Sequence, residues 1–432
     1  MENTHVIEDK KVSTRVLLAS LIGSSIEWFD YFLYGTVAAL IFNQLYFPAE
    51  DPTVGTMLAF MSFGLSFFIR PFGGIFFSHI GDKIGRKKTL VLTLALMGGA
   101  TVLMGLLPTY QAIGIAAPIL MVLLRLIQGL GIGGEWGGAM LLAVEYAPKD
   151  KRGLFGAVPQ MGVTLGVLLA TLALTVMTML PEEDFMSWGW RVPFVGSALL
   201  VFLGLWIRKG IDETPAFKKN QQEGKVVAVP LFETLRTHKK EVLIAIGAKC
   251  VETGPFYIMF TFIMYYATQV LTFERSQVLN AVTIATLITT FLIPVMGALS
   301  DKIGRKTVYI GGVVLLMLYA LPYFWMLNTG SVLWLNIATI IGLGIVWTPI
   351  TAVLGTMFSE IFKSNVRYTG ITLGYQIGAA LAGGTAPMVA LWLLKTFDNS
   401  YMPIVAYIIF MGVISLIAVW AAREYAGREM AG

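Results

Sequence analysis

Seven ionisable side chains interrupt otherwise apolar stretches of this 432-residue chain: Glu27, Asp30, Arg70, Arg125, Glu135, Lys249 and Glu252. A charge in hydrocarbon costs roughly 2.5–3.5 kcal/mol on insertion scales, so each needs a partner or a wet cavity. Buried carboxylates exchange protons, and guanidinium or ammonium groups bind anions. Glu27, Asp30, Tyr31 and Tyr34 fall within about 100° of arc at ~3.6 residues per turn, which gives one helix a polar face. Gln128 and Glu135 share a face of a second helix. Lys249, Glu252, Thr253, Phe256 and Phe260 share a face of a third, which Gly254-Pro255 interrupts. Proline removes a helix hydrogen bond and kinks the chain there.

Counted at ~1.5 Å per residue, Asp30 lies about 22 Å from Arg15 and Arg125 about 14 Å from the outer end of its stretch, so the two can meet at similar depth. A carboxylate facing a guanidinium keeps its charge, and it takes a proton when the guanidinium is engaged elsewhere. An Asp30–Arg125 pair in a closable cavity therefore exchanges protons; the alternative is a permanent ion pair that joins two helices. Glu27 and Glu135, at comparable depth, form a second candidate pair sharing a proton. Alternatively, Glu135 accepts hydrogen bonds from the glycine-rich backbone around it. Lys249 either binds an anionic group, with Arg125 as the other cation, or pairs with Glu252 at i, i+3. Tyr31, Tyr34, Gln128, Gln160, Phe256, Tyr257, Trp347, Tyr375 and Gln376 supply rings and amides suited to a small polar molecule, although any one alone is more often packing or a membrane-interface ring. Thr283, Thr286 and Thr290 share a face suited to helix–helix hydrogen bonds. Cys250 is the single cysteine, and His5, His79 and His238 are far apart, so neither a disulfide nor a metal site is expected. No nucleophile–base constellation appears, which argues against an enzyme, and no cofactor is implied.

The elements that carry these residues follow from composition. The chain is 56% hydrophobic and 13% charged, with a mean hydropathy of +0.74. Soluble domains carry about 25% charged residues, so lipid must cover part of this surface. Apolar stretches of spanning length lie near 16–44, 54–80, 89–108, 116–147, 153–180, 190–208, 240–270, 276–299, 307–327, 332–361, 367–395 and 401–422. They lack dyad alternation and exceed barrel-strand length, so they are helices. Trp188 and Trp190 are expected at a membrane interface. Lysine and arginine concentrate in the N-terminal tail, at 83–88, 149–152, 208–240, 302–306 and 363–367, and after 422. The opposite side keeps only Arg191, Arg275 and Lys395. The net charge of +5 follows this asymmetry and is no sign of nucleic-acid binding; it places both termini in the cytoplasm. The polar first residues do not read as a cleavable signal peptide. The expected organisation is a tail at 1–15, a six-helix bundle at 16–208, a cytoplasmic linker at 209–239, a second six-helix bundle at 240–422 and a tail at 423–432.

The halves repeat one another. Asp82-Lys83-Ile84-Gly85-Arg86-Lys87 recurs as Asp301-Lys302-Ile303-Gly304-Arg305-Lys306, Gly129-Leu130-Gly131-Ile132 as Gly342-Leu343-Gly344-Ile345, and Glu145 and Arg152 as Glu360 and Arg367. The order is kept, as in a duplicated membrane carrier with its site between the halves.

With these motifs the chain resembles the major facilitator superfamily, an all-α membrane fold of twelve helices in two pseudo-symmetric bundles. Gly81-Asp82-Lys83-Ile84-Gly85-Arg86-Lys87 and its echo match that superfamily's loop signature, and Arg125-Leu-Ile-Gln128-Gly129 resembles its second motif. Glu27-Trp-Phe-Asp30-Tyr-Phe-Leu-Tyr34-Gly35, Arg70-Pro71-Phe-Gly73-Gly74 and Gln128 through Glu135 are similar to the metabolite:proton symporters, carriers of shikimate, oxoglutarate, citrate and proline or betaine. Gly247-Ala-Lys249-x-x-Glu252 and Phe256-Tyr257-Ile258 resemble the shikimate-type branch, with Lys249 where many relatives are expected to have arginine. The resemblance implies a monomeric carrier in a bacterial cytoplasmic membrane that imports a small anionic or zwitterionic solute with protons by alternating access, driven by the proton gradient. Proline or betaine import is the alternative, with antiport or uniport behind it. It also implies a cytoplasmic gate built from Asp82, Arg86, Glu145, Arg152, Asp301, Arg305, Glu360 and Arg367.

Overall fold

The structure, a computed structural model, describes residues 21–84, 86–133, 136–137, 140, 143–144, 147–209, 231–363 and 367–427, the side chains of 78–90, 207–209, 231–233 and 368 excepted. Glu135, Glu145, most of the 209–239 segment and the side chains of Asp82 and Arg86 therefore lie outside the described residues.

Twelve long helical segments run along the described chain: α1 (21–45), α2 (Pro52–Ile84), α3 (Arg86–Leu106), α4 (Ala116–Ile132), α5 (Arg152–Met177), α6 (Arg191–Lys209), α7 (Lys239–Val270), α8 (Arg275–Ile303), α9 (Arg305–Leu327), α10 (Val332–Ile361), α11 (367–396) and α12 (Met402–Trp420). Eight helices are long and apolar enough to cross a membrane by themselves, and α6 with the bent turn Glu182–Gly189 before it makes a ninth. The apolar parts of α3 (Val91–Leu106) and α4 are shorter. Each of the twelve apolar stretches read from the sequence carries one of these helices. Local chemistry sets several starts and stops. Asp51 accepts the Thr53 N–H at 2.8 Å just before Pro52 opens α2. Glu274 and Gln277 form a reciprocal cap on α8. Gly304, at φ +98°, makes the tight turn from α8 to α9, a conformation that a side chain would strain.

The helices form two bundles, α1–α6 and α7–α12. Within them α2 packs on α4, α3 on α6, α7 on α11 and α12, and α9 on α10 and α12; across them α5 packs on α8 and α10, and α2 on α11. The outward residues are apolar: Leu199, Phe202 and Trp420 are 75–80% exposed, as a lipid-facing surface requires. Trp190, directly before α6, turns its ring into the protein rather than outward. It is fully buried among Phe42, Tyr46 and Phe194, whereas Trp188 is about half exposed.

The α5–α8 seam closes the molecule from end to end. At one end the Asp301 carboxylate accepts the N–H groups of Gly153 (2.8 Å) and Leu154 (3.0 Å), the exposed donors of the first turn of α5. Further along, Thr290 donates to Thr164 at 3.0 Å and Thr175 meets Thr283 at 3.4 Å. At the far end Arg275 pairs with Glu182. Glycines let the backbones approach: a Cβ on Gly297 would lie 2.5 Å from the Gly153 carbonyl oxygen and 2.6 Å from Ala157 Cβ. Forcing atoms into such a contact costs about 1–3 kcal/mol. Gly297→Val is accordingly expected to lower the melting temperature of the detergent-solubilised protein by several degrees. Gly311→Ala, whose Cβ meets nothing within 4 Å, serves as the neutral control, and equal melting of the two variants would contradict the packed seam.

Candidate functional site

Two polar layers lie between the bundles, both closed off from solvent. The upper layer centres on Arg125 of α4, which is fully buried. One of its nitrogens, Nη1, donates to Gln128 Oε1, while Nε and Nη2 have no hydrogen-bond partner. Its guanidinium lies 4.2 Å from the ring centres of both Tyr31 and Tyr34. Arg70 of α2 is almost fully buried as well, 4.1 Å from the Tyr31 ring and 4.2 Å from the Phe67 ring, with Nε and Nη2 unpartnered. The tyrosines are fixed by α2: Tyr34 hydrogen-bonds Ser62 at 2.6 Å and Tyr31 hydrogen-bonds Ser66 at 3.2 Å. Cation–π contacts contribute about 0.5–2 kcal/mol, less than the several kcal/mol it costs to take one ion out of water. The rings therefore hold the guanidiniums in place without compensating them, and the layer favours an anion.

Asp30 of α1 is fully buried too, yet it is not the partner of Arg125. Both of its carboxyl oxygens lack a hydrogen-bond partner, and the hydroxyls of Thr101 on α3 and Ser197 on α6 lie beside it. The direct Asp30–Arg125 ion pair expected from depth alone is absent. The polar face expected on α1 splits: Tyr31 and Tyr34 turn to α2 and α4, whereas Asp30, one residue round the helix, turns to α3 and α6. Gln128 bridges them instead, since its Nε2 donates to Thr101 Oγ1 (2.9 Å) and to the Asp30 carbonyl (3.3 Å).

The second layer lies ~12–21 Å from the ends of α5, α7, α10 and α11 that adjoin the Lys- and Arg-rich loops, counted along the helices. Here Lys249 is ion-paired with Glu252, the i, i+3 alternative, and its Nζ also sits 3.7 Å from the Tyr375 ring centre. Glu252 accepts from Thr253 (2.8 Å) and Thr351 (3.0 Å), and its backbone carbonyl accepts the Trp347 indole N–H at 2.6 Å. Gln160 crosses between the bundles, donating to Thr351 Oγ1 at 3.0 Å while accepting from Trp136 Nε1 at 3.0 Å. Trp136 stacks on Tyr375 at 3.7 Å between centroids, and Gln376 donates to the Gly133 carbonyl at 3.3 Å. Rings join the layers: Phe256 lies 4.6 Å from Trp347, and Tyr257 meets Phe63 at 5.2 Å and Phe67 at 5.3 Å. Directly after Pro255, α7 widens into π turns at Ile258–Phe262 and Tyr266–Val270, features that often mark functional sites.

The major facilitator superfamily profile matches residues 20–383. This chain belongs to the major facilitator superfamily. It is 38% identical over 413 residues to the shikimate transporter of Escherichia coli (strain K12), covering 95% of this chain and 94% of that protein. The inner membrane metabolite transport protein YhjE of the same strain is also 38% identical, over 419 residues, with the same coverage. The proline/betaine transporter of that strain is 33% identical over 448 residues, covering 100% of this chain and 87% of that protein. Among solved structures, the proton:xylose symporter XylE bound to 6-bromo-6-deoxy-D-glucose superposes with a TM-score of 0.73, 18% identity and 98% coverage of both chains, a likeness of fold. The chain is a membrane transporter with relatives that carry small molecules.

Within this facilitator fold the expected residues divide. Tyr31, Tyr34, Arg125, Gln128, Phe256 and Tyr257 gather in the upper layer; Gln160, Lys249, Glu252, Trp347, Tyr375 and Gln376 gather in the lower. Glu27 is buried on α1; its expected partner Glu135 lies outside the described residues. Of the gate residues, Asp301, Arg305 and Glu360 form one cluster, with Arg305 reaching Asp301 at 2.8 Å and Glu360 at 3.2 Å. Arg367 donates to the Phe362 carbonyl at 3.1 Å. Arg152 is buried beside the same seam, and its carbonyl accepts from Thr356 at 3.4 Å. Sequence reasoning gave no role to Trp136, Thr101 or Thr351, and left Arg70 as an unassigned charge. The intramembrane charge was the available signal for Arg70; a tryptophan in a glycine run was the only one for Trp136.

Removing one partner of a buried ion pair costs about 3–5 kcal/mol, whereas replacing both by apolar groups is often neutral. Glu252→Leu is therefore expected to lower the melting temperature markedly, and Lys249→Met with Glu252→Leu to recover most of it. A double variant as unstable as the single one would contradict a self-compensated pair.

Proposed function

We propose that this transporter is a proton-coupled symporter that imports a small organic acid, shikimate or a related carboxylate, by alternating access. The observation that carries the reading is Arg125. It is a permanent cation, buried between the bundles, with two nitrogens unpartnered and no carboxylate of the described residues against it. A carboxylate, which binds guanidinium in bidentate fashion, is the ligand this arrangement favours. Asp30 is the proposed proton carrier, with Glu27 and Glu135 as the second candidates, and the lower-layer residues close the site on the side of the basic loops. Those loops are proposed to face the cytoplasm, with both termini, the 209–239 linker and the bundles at 16–208 and 240–422 arranged accordingly. The Asp301–Arg305–Glu360 cluster on the α5 N-terminus is the proposed cytoplasmic gate, with Asp82, Arg86, Glu145, Arg152 and Arg367 as its other members. One chain holds the whole site, so a monomer suffices.

A second reading, import of a zwitterionic osmolyte, is favoured by the rings around the upper layer. Trp28, Tyr31, Phe32, Phe67 and Tyr257 form a connected aromatic group, and such groups attract quaternary ammonium. Thermal stabilisation of the purified protein by shikimate, oxoglutarate or citrate, and not by betaine, is expected; the reverse pattern would select the osmolyte.

In proteoliposomes with an imposed pH gradient, Asp30→Asn is expected to cut accumulation of the stabilising acid by about tenfold or more while exchange of labelled for unlabelled acid persists. Full accumulation by the variant would remove Asp30 from the coupling mechanism.

A further inference from the structure

We propose that Gln128 is the positioning residue that makes proton binding at Asp30 depend on anion binding at Arg125; the inference rests on the symport reading above. Gln128 is fully buried on α4, three residues after Arg125, and its amide touches three helices. Oε1 accepts from Arg125 Nη1, and Nε2 donates to Thr101 on α3 and to the Asp30 backbone on α1. Its orientation is dictated by these partners. A guanidinium only donates, so it must face the amide oxygen, and a backbone carbonyl only accepts, so it must face the amide nitrogen. Thr101 gives its single hydroxyl proton to the Met97 carbonyl at 3.0 Å, so it too is an acceptor toward Gln128.

The coupling follows from what happens when Arg125 turns to an anion. Gln128 Oε1 then loses the one donor it has, and a buried unsatisfied acceptor is costly. A protonated Asp30 carboxyl, on the residue whose backbone the same amide already holds, can replace that donor. An ionised carboxylate has no proton to donate. Anion binding at Arg125 thus favours the protonated state of Asp30, which is the sign that symport needs: acid and proton bound together, and released together. Glu27 lies one helical turn before Asp30 on α1, and Arg70 lies across the Tyr31 ring; the Gln128 hydrogen bonds run to neither.

The test uses the full-length protein in proteoliposomes with radiolabelled shikimate, oxoglutarate and citrate as probes. Gln128→Met keeps the volume and removes the amide. It is expected to reduce pH-gradient-driven accumulation at least about tenfold while exchange falls no more than about threefold, and to flatten the pH dependence of exchange. Thr101→Val breaks the same link from the α3 side and is expected to give the same split, so the outcome stands if one variant does not fold. Gln128→Glu, which would hold Arg125 in a permanent ion pair, is expected to raise the half-saturating acid concentration. Equal losses of exchange and accumulation in both Gln128→Met and Thr101→Val, with the wild-type pH profile retained, would overturn the inference and leave the symport reading standing. Wild-type protein that accumulates none of the three acids would overturn both.

Discussion

A charge shut away from water must be compensated where it sits, and the centre of this transporter is organised around how completely each buried charge meets that demand. Lys249 and Glu252 meet it between themselves: the pair is closed by Thr253 and Thr351, and Lys249 rests on the Tyr375 ring. Arg125 and Arg70 meet it only in part, with aromatic faces where carboxylates would be needed. Asp30 lies apart from both, among hydroxyls. The first arrangement is stable without a ligand, whereas the second acquires full compensation only with one. On the proposed reading, that contrast separates a layer that holds the bundles together from a layer that receives the solute.

The rest of the fold serves these layers. Glycine contacts along α5 and α8 bring the bundles close enough for Gln160 to reach Thr351 and for Trp136 to lie flat on Tyr375. The seam is pinned at its basic end by a carboxylate on a helix N-terminus and at the other by the Arg275–Glu182 pair. Exposed pairs of the second kind contribute only about 0–1 kcal/mol, so the Arg275–Glu182 end is the more weakly held. The basic end is buried and multiply bonded, as the proposed gate requires.

Much of this was legible in the sequence, for physical reasons. Lipid demands long apolar stretches, so the twelve helices could be placed from hydropathy; duplication leaves repeated motifs, so the two bundles could be paired. Charges inside spans are rare enough that Arg125, Lys249, Glu252 and Asp30 stood out. What spacing along a helix could not give was direction. Asp30 and Tyr31 are adjacent in the chain, yet about 100° apart on the helix, and that step puts one against α3 and α6 and the other against Arg125. The depth argument brought Asp30 and Arg125 to the same level, but it was blind to the intervening Gln128 amide. Trp136 was illegible because its value lies in a stack across the bundle interface, which no local pattern encodes.

The central claim is that a buried guanidinium draws in a carboxylate and that a separately placed aspartate brings a proton with it. The most direct measurement is the pH of a weakly buffered medium around de-energised membrane vesicles containing the protein when the stabilising acid is added. The account predicts alkalinisation of the medium that is abolished by a protonophore and absent in Asp30→Asn vesicles. Uptake of the acid with no change in pH, or with acidification, would contradict it.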